Sequence, residues 1–147
     1  MTSAPGRQRA DELAATMTVG MGKRINEGRG GVGIVVDIFR CYAERGPDPP
    51  LPIRGGSAVL RKEPIGALLG VLPGNFPCCQ VVRFVAPILV LGNMILLKHA
   101  SICPRSALTT EKIPPGAGVA GDAYVNTFAS GRQFRWFSLI RAFKAFP

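Results

Sequence analysis

Two polar side chains follow short apolar runs in the middle of the chain, where α/β proteins often place chemistry. Asn75 stands in the turn Pro73-Gly74-Asn75 after the strand-like run 67–72, and Lys98 ends the run 94–97. A helix-length segment separates the two runs, so the stretch predicts a βαβ unit whose parallel strands end at one edge. A cation at that edge suits a nucleotide. On local sequence alone, an Asn after Pro73 is typical of a turn.

A glycine cluster, GRGGVG at residues 28–33, matches the dinucleotide pattern G-x-G-x-x-G by letters alone. The mechanism of that pattern needs a buried strand immediately before the first glycine, so that the turn delivers pyrophosphate to a helix N-terminus. Residues 22–27 are polar and contain no strand pattern. Asp48 lies 20 residues after Gly28, about where the pattern has its acidic residue, but it stands in a proline-rich loop rather than at the end of a strand. We therefore interpret the cluster as a glycine-loosened helix or loop.

The sulfur and imidazole side chains predict neither a metal site nor a catalytic role. Cys41, Cys78, Cys79 and Cys103 include no C-x-x-C pair, and His99 is the single histidine. These residues supply too few ligands for a zinc-type site. We expect Cys78 and Cys79 to be small buried apolar residues and His99 to be a packing or surface residue.

Hydrophobic spacing predicts the elements that position these side chains. Leu13, Met17 and Met21 fall four apart and indicate an amphipathic helix from Arg9 to Lys23, closed by Gly22 or shortly after. The remaining predictions are a helix at 34–45, an extended proline-rich connection at 46–54, a short strand at 57–62, strands at 67–72, 94–97 and 123–128, and a helix at 104–112 interrupted by prolines 114 and 115.

Composition favours one globular unit with a real core, since 47% of the residues are hydrophobic and 18% are charged. The longest apolar stretch, 84–97, is interrupted by Pro87, Gly92 and Asn93 and is shorter than the roughly 20 residues of a membrane span. The charged N-terminus argues against a signal peptide. We predict a cytoplasmic location and no membrane partner.

The formal charge of +9 does not predict a nucleic-acid partner. Residues 131–147 contribute four cations and no acid, and the other basic residues are scattered among acidic ones without a continuous stripe. Phosphate binding depends on clustered Lys and Arg. We therefore expect no nucleic-acid binding, although a basic, aromatic tail of this kind leaves nucleic-acid or membrane-surface binding as an alternative for residues 131–147.

The central motifs resemble the aldehyde dehydrogenase superfamily, and most closely its succinate-semialdehyde branch. The shared pattern is E-P-x-G, then P-x-N-F-P, then A-P-x-L-x-x-G-N, then L-K, over residues 63–98 of this chain. The resemblance extends from about residue 9 to residue 130. It implies an α/β fold, in which N-terminal helices (1–45), a linker with an edge strand (46–63) and a βαβαβ core (64–130) form part of a doubly wound, Rossmann-like cofactor-binding domain. Residues 131–147 are expected to be an unrelated, disordered tail.

The resemblance also implies roles for individual residues. Asn75 matches the asparagine whose amide stabilises the oxyanion during aldehyde oxidation, so it is the candidate catalytic residue. Lys98 matches a lysine that contacts the adenosine ribose. Ser101 stands where relatives restricted to NAD carry a glutamate, and a hydroxyl there tolerates a 2′-phosphate, so the expected cofactor is NADP, or NAD. Leu72, Pro73 and Gly74 complete the implied cofactor contacts.

The chain departs from the family pattern in ways that bear on activity. Gly74 replaces a tryptophan, which we expect to loosen the turn and open the cofactor pocket. Phe84 stands where many members carry a lysine, although the succinate-semialdehyde branch often lacks that lysine. The G-S-T-x-x-G, E-L-G-G and G-Q-x-C segments are absent from these 147 residues. We expect a truncated N-terminal fragment that does not oxidise aldehyde by itself. The alternative is a non-catalytic module that binds nucleotide or docks onto other subunits, including copies of itself, through the strand from Ser57 to Lys62.

Overall fold

The computed structural model describes residues 4–45, 50–116, 118–133 and 143–145 as helices, strands and their connections. The helices are α1 (Ala4–Met21), α2 (Ile25–Arg45), α3 (Pro77–Val90), α4 (Pro104–Glu111) and the single turn α5 (Ile113–Gly116). The strands are β1 (Pro50–Leu51), β2 (Ala58–Val59), β3 (Ala67–Val71), β4 (Met94–Lys98), β5 (Tyr124–Asn126) and β6 (Phe143–Ala145).

Four parallel strands form the main sheet in the order β5-β4-β3-β6. The chain moves outward from β3 to β4 and β5, and β6 then lies on the other side of β3. This is the order of the first four strands of a doubly wound Rossmann sheet, and it puts the topological switch point between β3 and β6. The predicted α/β fold with a partial doubly wound sheet is confirmed.

Helix α3 lies between the sheet and the N-terminal helices. One of its faces packs on Ile95, Leu97 and Tyr124 of the sheet, and the other packs on α1 and α2. Gly70 of β3 permits this close approach, because a Cβ atom there would lie 2.6 Å from Cε1 of Phe84. Phe84 therefore packs directly over a glycine, and the two residues are sterically matched.

The opposite face of the sheet is apolar and partly exposed, although Leu69 is buried on it. Val71, Met94 and Val125 are 55%, 49% and 40% exposed, and α3 and α4 both pack on the other face. Parallel sheets are normally covered by helices on both faces. The described residues therefore supply one covered face of a doubly wound arrangement.

The glycine cluster 28–33, for which the sequence left a helix or a loop open, lies inside α2, and the helix begins nine residues before the predicted start at Ile34. Gly28 is buried, and a Cβ atom there would lie 3.2 Å from the Ala14 carbonyl oxygen of α1. One turn later, the Gly31 carbonyl accepts a hydrogen bond from Cys79 Sγ of α3 at 3.4 Å. Gly28 thus lets α2 pack closely on α1, and the Gly31 carbonyl ties α2 to α3.

Two strand pairings differ from the predictions. The strand predicted at 57–62 is only Ala58–Val59, and it pairs with β1 in a separate antiparallel hairpin rather than at the edge of the main sheet. Three residues of the predicted disordered tail, Phe143–Ala145, form β6 along β3. An unpaired strand edge readily pairs with an extended segment, which is the physical reason that Phe143–Ala145 pairs with β3. The remaining residues after 133 lie outside the described part of the chain, and the domain division at residue 130 stays a prediction.

The other predicted elements occur close to their expected positions. Helix α1 ends at Met21, followed by Gly22 with φ of 73°, the left-handed conformation typical of a glycine that closes a helix. The helix predicted at 104–112 ends at Glu111, and one further turn follows at the prolines. Among the described helices, none is long and apolar enough to cross a membrane.

Candidate cofactor site at the carboxyl edge of the sheet

Two loops that hold the predicted site residues meet at the carboxyl ends of β3 and β4. The Leu72 N–H donates to the Lys98 carbonyl at 3.1 Å, so the β3–α3 and β4–α4 loops start side by side. The Cys103 thiol then donates to the Gly74 carbonyl at 3.7 Å. Leu72, Pro73, Gly74 and Asn75 therefore lie on one loop of this edge, and Lys98 and Ser101 begin the adjacent one.

Asn75 is exposed, and its side chain is held by a local hydrogen bond. Its Oδ1 accepts the N–H of Phe76 at 3.1 Å. The Nδ2 group makes no hydrogen bond with any described residue, so it is available to donate. Phe76, the N-cap residue of α3, lies under the Lys23 ammonium, whose Nζ is 4.1 Å from the ring centroid. The geometry leaves an amide donor of the kind that stabilises an oxyanion.

The three loops at this edge carry cations and no carboxylate. They are residues 22–24, 72–76 and 98–103, and their charged side chains are Lys23, Arg24 and Lys98. Lys98 is half-buried at the end of β4, and Ser101 is exposed. An edge of this charge, beside a topological switch point, fits a dinucleotide with several phosphates.

The prediction that Gly74 opens the pocket is wrong. Gly74 is buried, and a Cβ atom there would lie 2.9 Å from Cδ1 of Ile102 and 3.2 Å from Cβ of Ala100. Ile102, which belongs to the β4–α4 loop, occupies the space beside the glycine. A residue with a side chain at position 74 would have to displace it.

The cysteine thiols near the site are poor nucleophiles. Burial raises the pKa of Cys78 to about 12, even though Thr110 and Lys23 act in the opposite direction. Burial also raises the pKa of Cys79 and of Cys103. The thiolate is the reactive form. The prediction of a small buried residue is confirmed for Cys78, whereas Cys79 is only half-buried. Among the described residues, no group of three or more His, Cys, Asp and Glu side chains could hold a metal ion.

Sequence reasoning missed the contacts that support this edge. Lys23 and Phe76 are far apart in the sequence, and no local pattern links them. His99 was expected to be a packing or surface residue, and the structure shows that it packs: it is 5% exposed. The sequence signal for a role of His99 at this edge was its position next to Lys98, at the end of a predicted strand.

Comparison with known proteins shows the family. The model of the aldehyde dehydrogenase family matches residues 5–133. The chain belongs to the aldehyde dehydrogenase family. It is 45% identical, over 125 residues, to a succinate-semialdehyde dehydrogenase [NADP(+)] of Deinococcus radiodurans. It is also 37% identical, over 129 residues, to a probable succinate-semialdehyde dehydrogenase [NADP(+)] of Synechocystis.

Solved aldehyde dehydrogenase structures have the same fold. The succinic semialdehyde dehydrogenase of Streptococcus pyogenes, in complex with NADP+, superposes with a TM-score of 0.81 at 36% identity. That alignment covers 93% of this chain and 31% of the Streptococcus chain. The Deinococcus alignment covers 82% of this chain and 26% of that relative. This aldehyde dehydrogenase chain thus spans about a quarter to a third of the length of the relatives it matches.

Proposed function

We propose that this chain forms the first part of the cofactor-binding unit of an NADP-linked aldehyde dehydrogenase acting on succinate semialdehyde. The observation that carries the proposal is the position of Asn75, Lys98 and Ser101. They lie on two loops that are hydrogen-bonded to each other, beside the topological switch point of the sheet. The similarity to relatives that are named for succinate semialdehyde and NADP supports the choice of substrate and cofactor.

The residues present define what the chain would contribute. Lys98 would bind the adenosine ribose, and Ser101 would lie near its 2′-phosphate without repelling it. Asn75 Nδ2 would donate to the negative charge that develops on the aldehyde oxygen. When bound, NADP supplies the hydride acceptor. The cationic loops would orient the cofactor, which is the contribution a protein makes to cofactor chemistry.

We expect these 147 residues, tested by themselves, to bind cofactor without oxidising aldehyde. Aldehyde oxidation of this type needs a reactive thiolate. Cys78 and Cys103 are buried, and the pKa of each of Cys78, Cys79 and Cys103 is raised. The fourth cysteine, Cys41, lies on α2 beside Ile38 and Tyr42, rather than on the loops of the carboxyl edge.

Cofactor choice should respond to a change of charge at residue 101. Ser101→Glu is expected to weaken NADP binding by about tenfold or more, roughly 1.4 kcal/mol, because the carboxylate would repel the 2′-phosphate. NAD binding should stay unchanged or tighten. Isothermal titration of both cofactors measures the two affinities.

Ala43→Glu is the matched control, because it adds the same charge on the last turn of α2, outside the three loops of the carboxyl edge. It should leave both affinities unchanged. An NADP affinity that is equal in wild type and Ser101→Glu would remove Ser101 from the cofactor site.

A second candidate function is subunit docking through the β1–β2 hairpin. Apolar side chains of this hairpin and its flanks are exposed: Leu51 by 44%, Ile53 by 51%, Val59 by 60% and Leu60 by 46%. Such a patch is typical of an interaction surface, and the alternative hypothesis from the sequence was docking through residues 57–62.

If the hairpin mediates self-association, Val59→Lys should shift the chain to monomer in sedimentation equilibrium, whereas Val19→Lys, at a similarly exposed position on α1, should not. A monomeric wild type would contradict self-association through the hairpin. The cytoplasmic location and the absence of nucleic-acid binding stay predictions from the sequence.

A further inference from the structure

The His99 imidazole joins the two loops of the carboxyl edge. Its Nε2 lies 2.9 Å from the carbonyl oxygen of Pro77, the first residue of α3. Its Nδ1 accepts the backbone N–H of Ala100 at 2.8 Å. Because Nδ1 is the acceptor, the single proton of the neutral ring lies on Nε2 and is donated to the Pro77 carbonyl. The ring is buried, so water does not replace either bond at low cost.

The two partners of the ring adjoin the proposed cofactor contacts. Pro77 lies two residues after Asn75, and Ala100 lies between Lys98 and Ser101. We propose that His99 is a positioning residue whose neutral ring fixes the spacing between the Asn75 loop and the Lys98–Ser101 loop, and thereby sets the affinity for NADP. This inference rests on the proposed function of the edge.

The two hydrogen bonds of the His99 ring form a link between the loops, and the position of the ring proton makes this link sensitive to pH. A second proton would have to go on Nδ1, where it would face the Ala100 N–H and break that hydrogen bond. Burial lowers the pKa of His99, Lys98 acts in the same direction, and the bond to the Pro77 carbonyl opposes them. Lys98 is the charged neighbour that acts on the ring, and the first turn of α3 contains no acidic residue. The link is therefore intact above the ordinary histidine pKa of about 6.5. It is lost as the pH falls through the lowered pKa that His99 has in the folded protein.

Two substitutions each keep one half of the link and do not titrate. His99→Asn places an acceptor near the position of Nδ1 for the Ala100 N–H, and His99→Gln places a donor near that of Nε2 for the Pro77 carbonyl. At pH 7.5, each variant should bind NADP about three- to tenfold more weakly than wild type, which is the effect of losing one neutral hydrogen bond. Circular dichroism verifies that both variants fold.

Titration of NADP from pH 7.5 down to the lowest pH at which circular dichroism shows a folded protein separates positioning from simple packing. Wild-type affinity should fall more steeply with acidification than that of either variant, since the slope left in the variants comes from the cofactor phosphate alone. A positioning role is overturned if both variants bind as tightly as wild type with the same pH profile. If wild type itself does not bind NADP, the proposed function fails before the role of His99 is reached.

A spectroscopic measurement tests the link without cofactor. His99 is the only histidine of the chain, so long-range proton–nitrogen spectra of the labelled protein report on one ring. At pH 7.5 we expect a protonated Nε2 and an unprotonated, hydrogen-bonded Nδ1. A proton on Nδ1 at that pH would overturn the proposed geometry, whatever the result of the binding experiment.

Discussion

Replacing Asn93 with alanine is expected to lower the free energy of unfolding by about 2–3 kcal/mol, a large part of the stability of a domain of this size. Asn93 follows α3 and is 5% exposed. Its Oδ1 accepts the N–H groups of Ile65 at 2.6 Å and of Gly66 at 3.1 Å. Its Nδ2 donates to the Ile88 carbonyl at 3.3 Å. One amide thus ties the end of α3 to the segment that leads into β3.

The cost arises because alanine leaves these backbone groups without their partners. Two N–H donors would lose their acceptor, and a carbonyl near the end of α3 would lose one of its donors. Urea denaturation followed by circular dichroism measures the change. Asn26→Ala is the control, since Asn26 is exposed on the first turn of α2, and it should change stability by no more than about 0.5 kcal/mol. A similarly small change for Asn93→Ala would contradict the structural role.

Replacing Lys98 with methionine is expected to weaken NADP binding by at least about tenfold, or 1.4 kcal/mol. Methionine keeps most of the side-chain length and apolar contact, and it removes the ammonium. A charge-assisted hydrogen bond typically contributes about 1.5–3 kcal/mol, so loss of the charge at the end of β4 should dominate. Isothermal titration at constant salt measures the affinity.

Lys112→Met provides the matched control for this experiment. Lys112 is exposed at the C-terminal end of α4, outside the three loops of the carboxyl edge, and the same substitution there should leave the affinity unchanged. Equal losses for the two variants would indicate a general effect of net charge. They would contradict a specific contact at Lys98.

The elements of the central unit were predictable because their signals are local. The apolar runs 67–72 and 94–97 became β3 and β4 nearly residue for residue. Helix α3 begins at Pro77, whose fixed φ suits the first turn of a helix. In each case, composition and periodicity within a short window agree with the tertiary structure.

Long-range contacts decide the features that were not predicted. The glycines of α2 disfavour a helix by intrinsic propensity, yet Gly28 lies against Ala14, where a larger residue would not fit without a shift. Tertiary packing therefore extends α2 back to Ile25. Likewise, the pairing of β6 with β3 joins two segments that are far apart in the chain and whose own sequences do not specify a partner.

In the candidate site, too, local motifs were predictable and contacts between distant segments were not. Asn75 and Lys98 could be proposed from motifs along one stretch of chain, and the fold places them on adjacent loops. The ring of Phe76 under Lys23 and the bonds of His99 depend on how α1, α3 and the β4–α4 loop come together. Local sequence gives no sign of the Lys23–Phe76 contact or of the bond from His99 to the Pro77 carbonyl, because each joins residues more than 20 positions apart.

Mapping of NADP binding by amide chemical shifts tests the central claim most directly. The full chain, labelled with nitrogen-15, is titrated with NADP while its backbone amides are followed. We predict that the largest shifts fall in residues 72–76 and 98–103, with little change at the β1–β2 hairpin or in the C-terminal half of α2. Shifts concentrated in those other regions, or no shifts at millimolar NADP, would contradict a cofactor site at the carboxyl edge of this sheet.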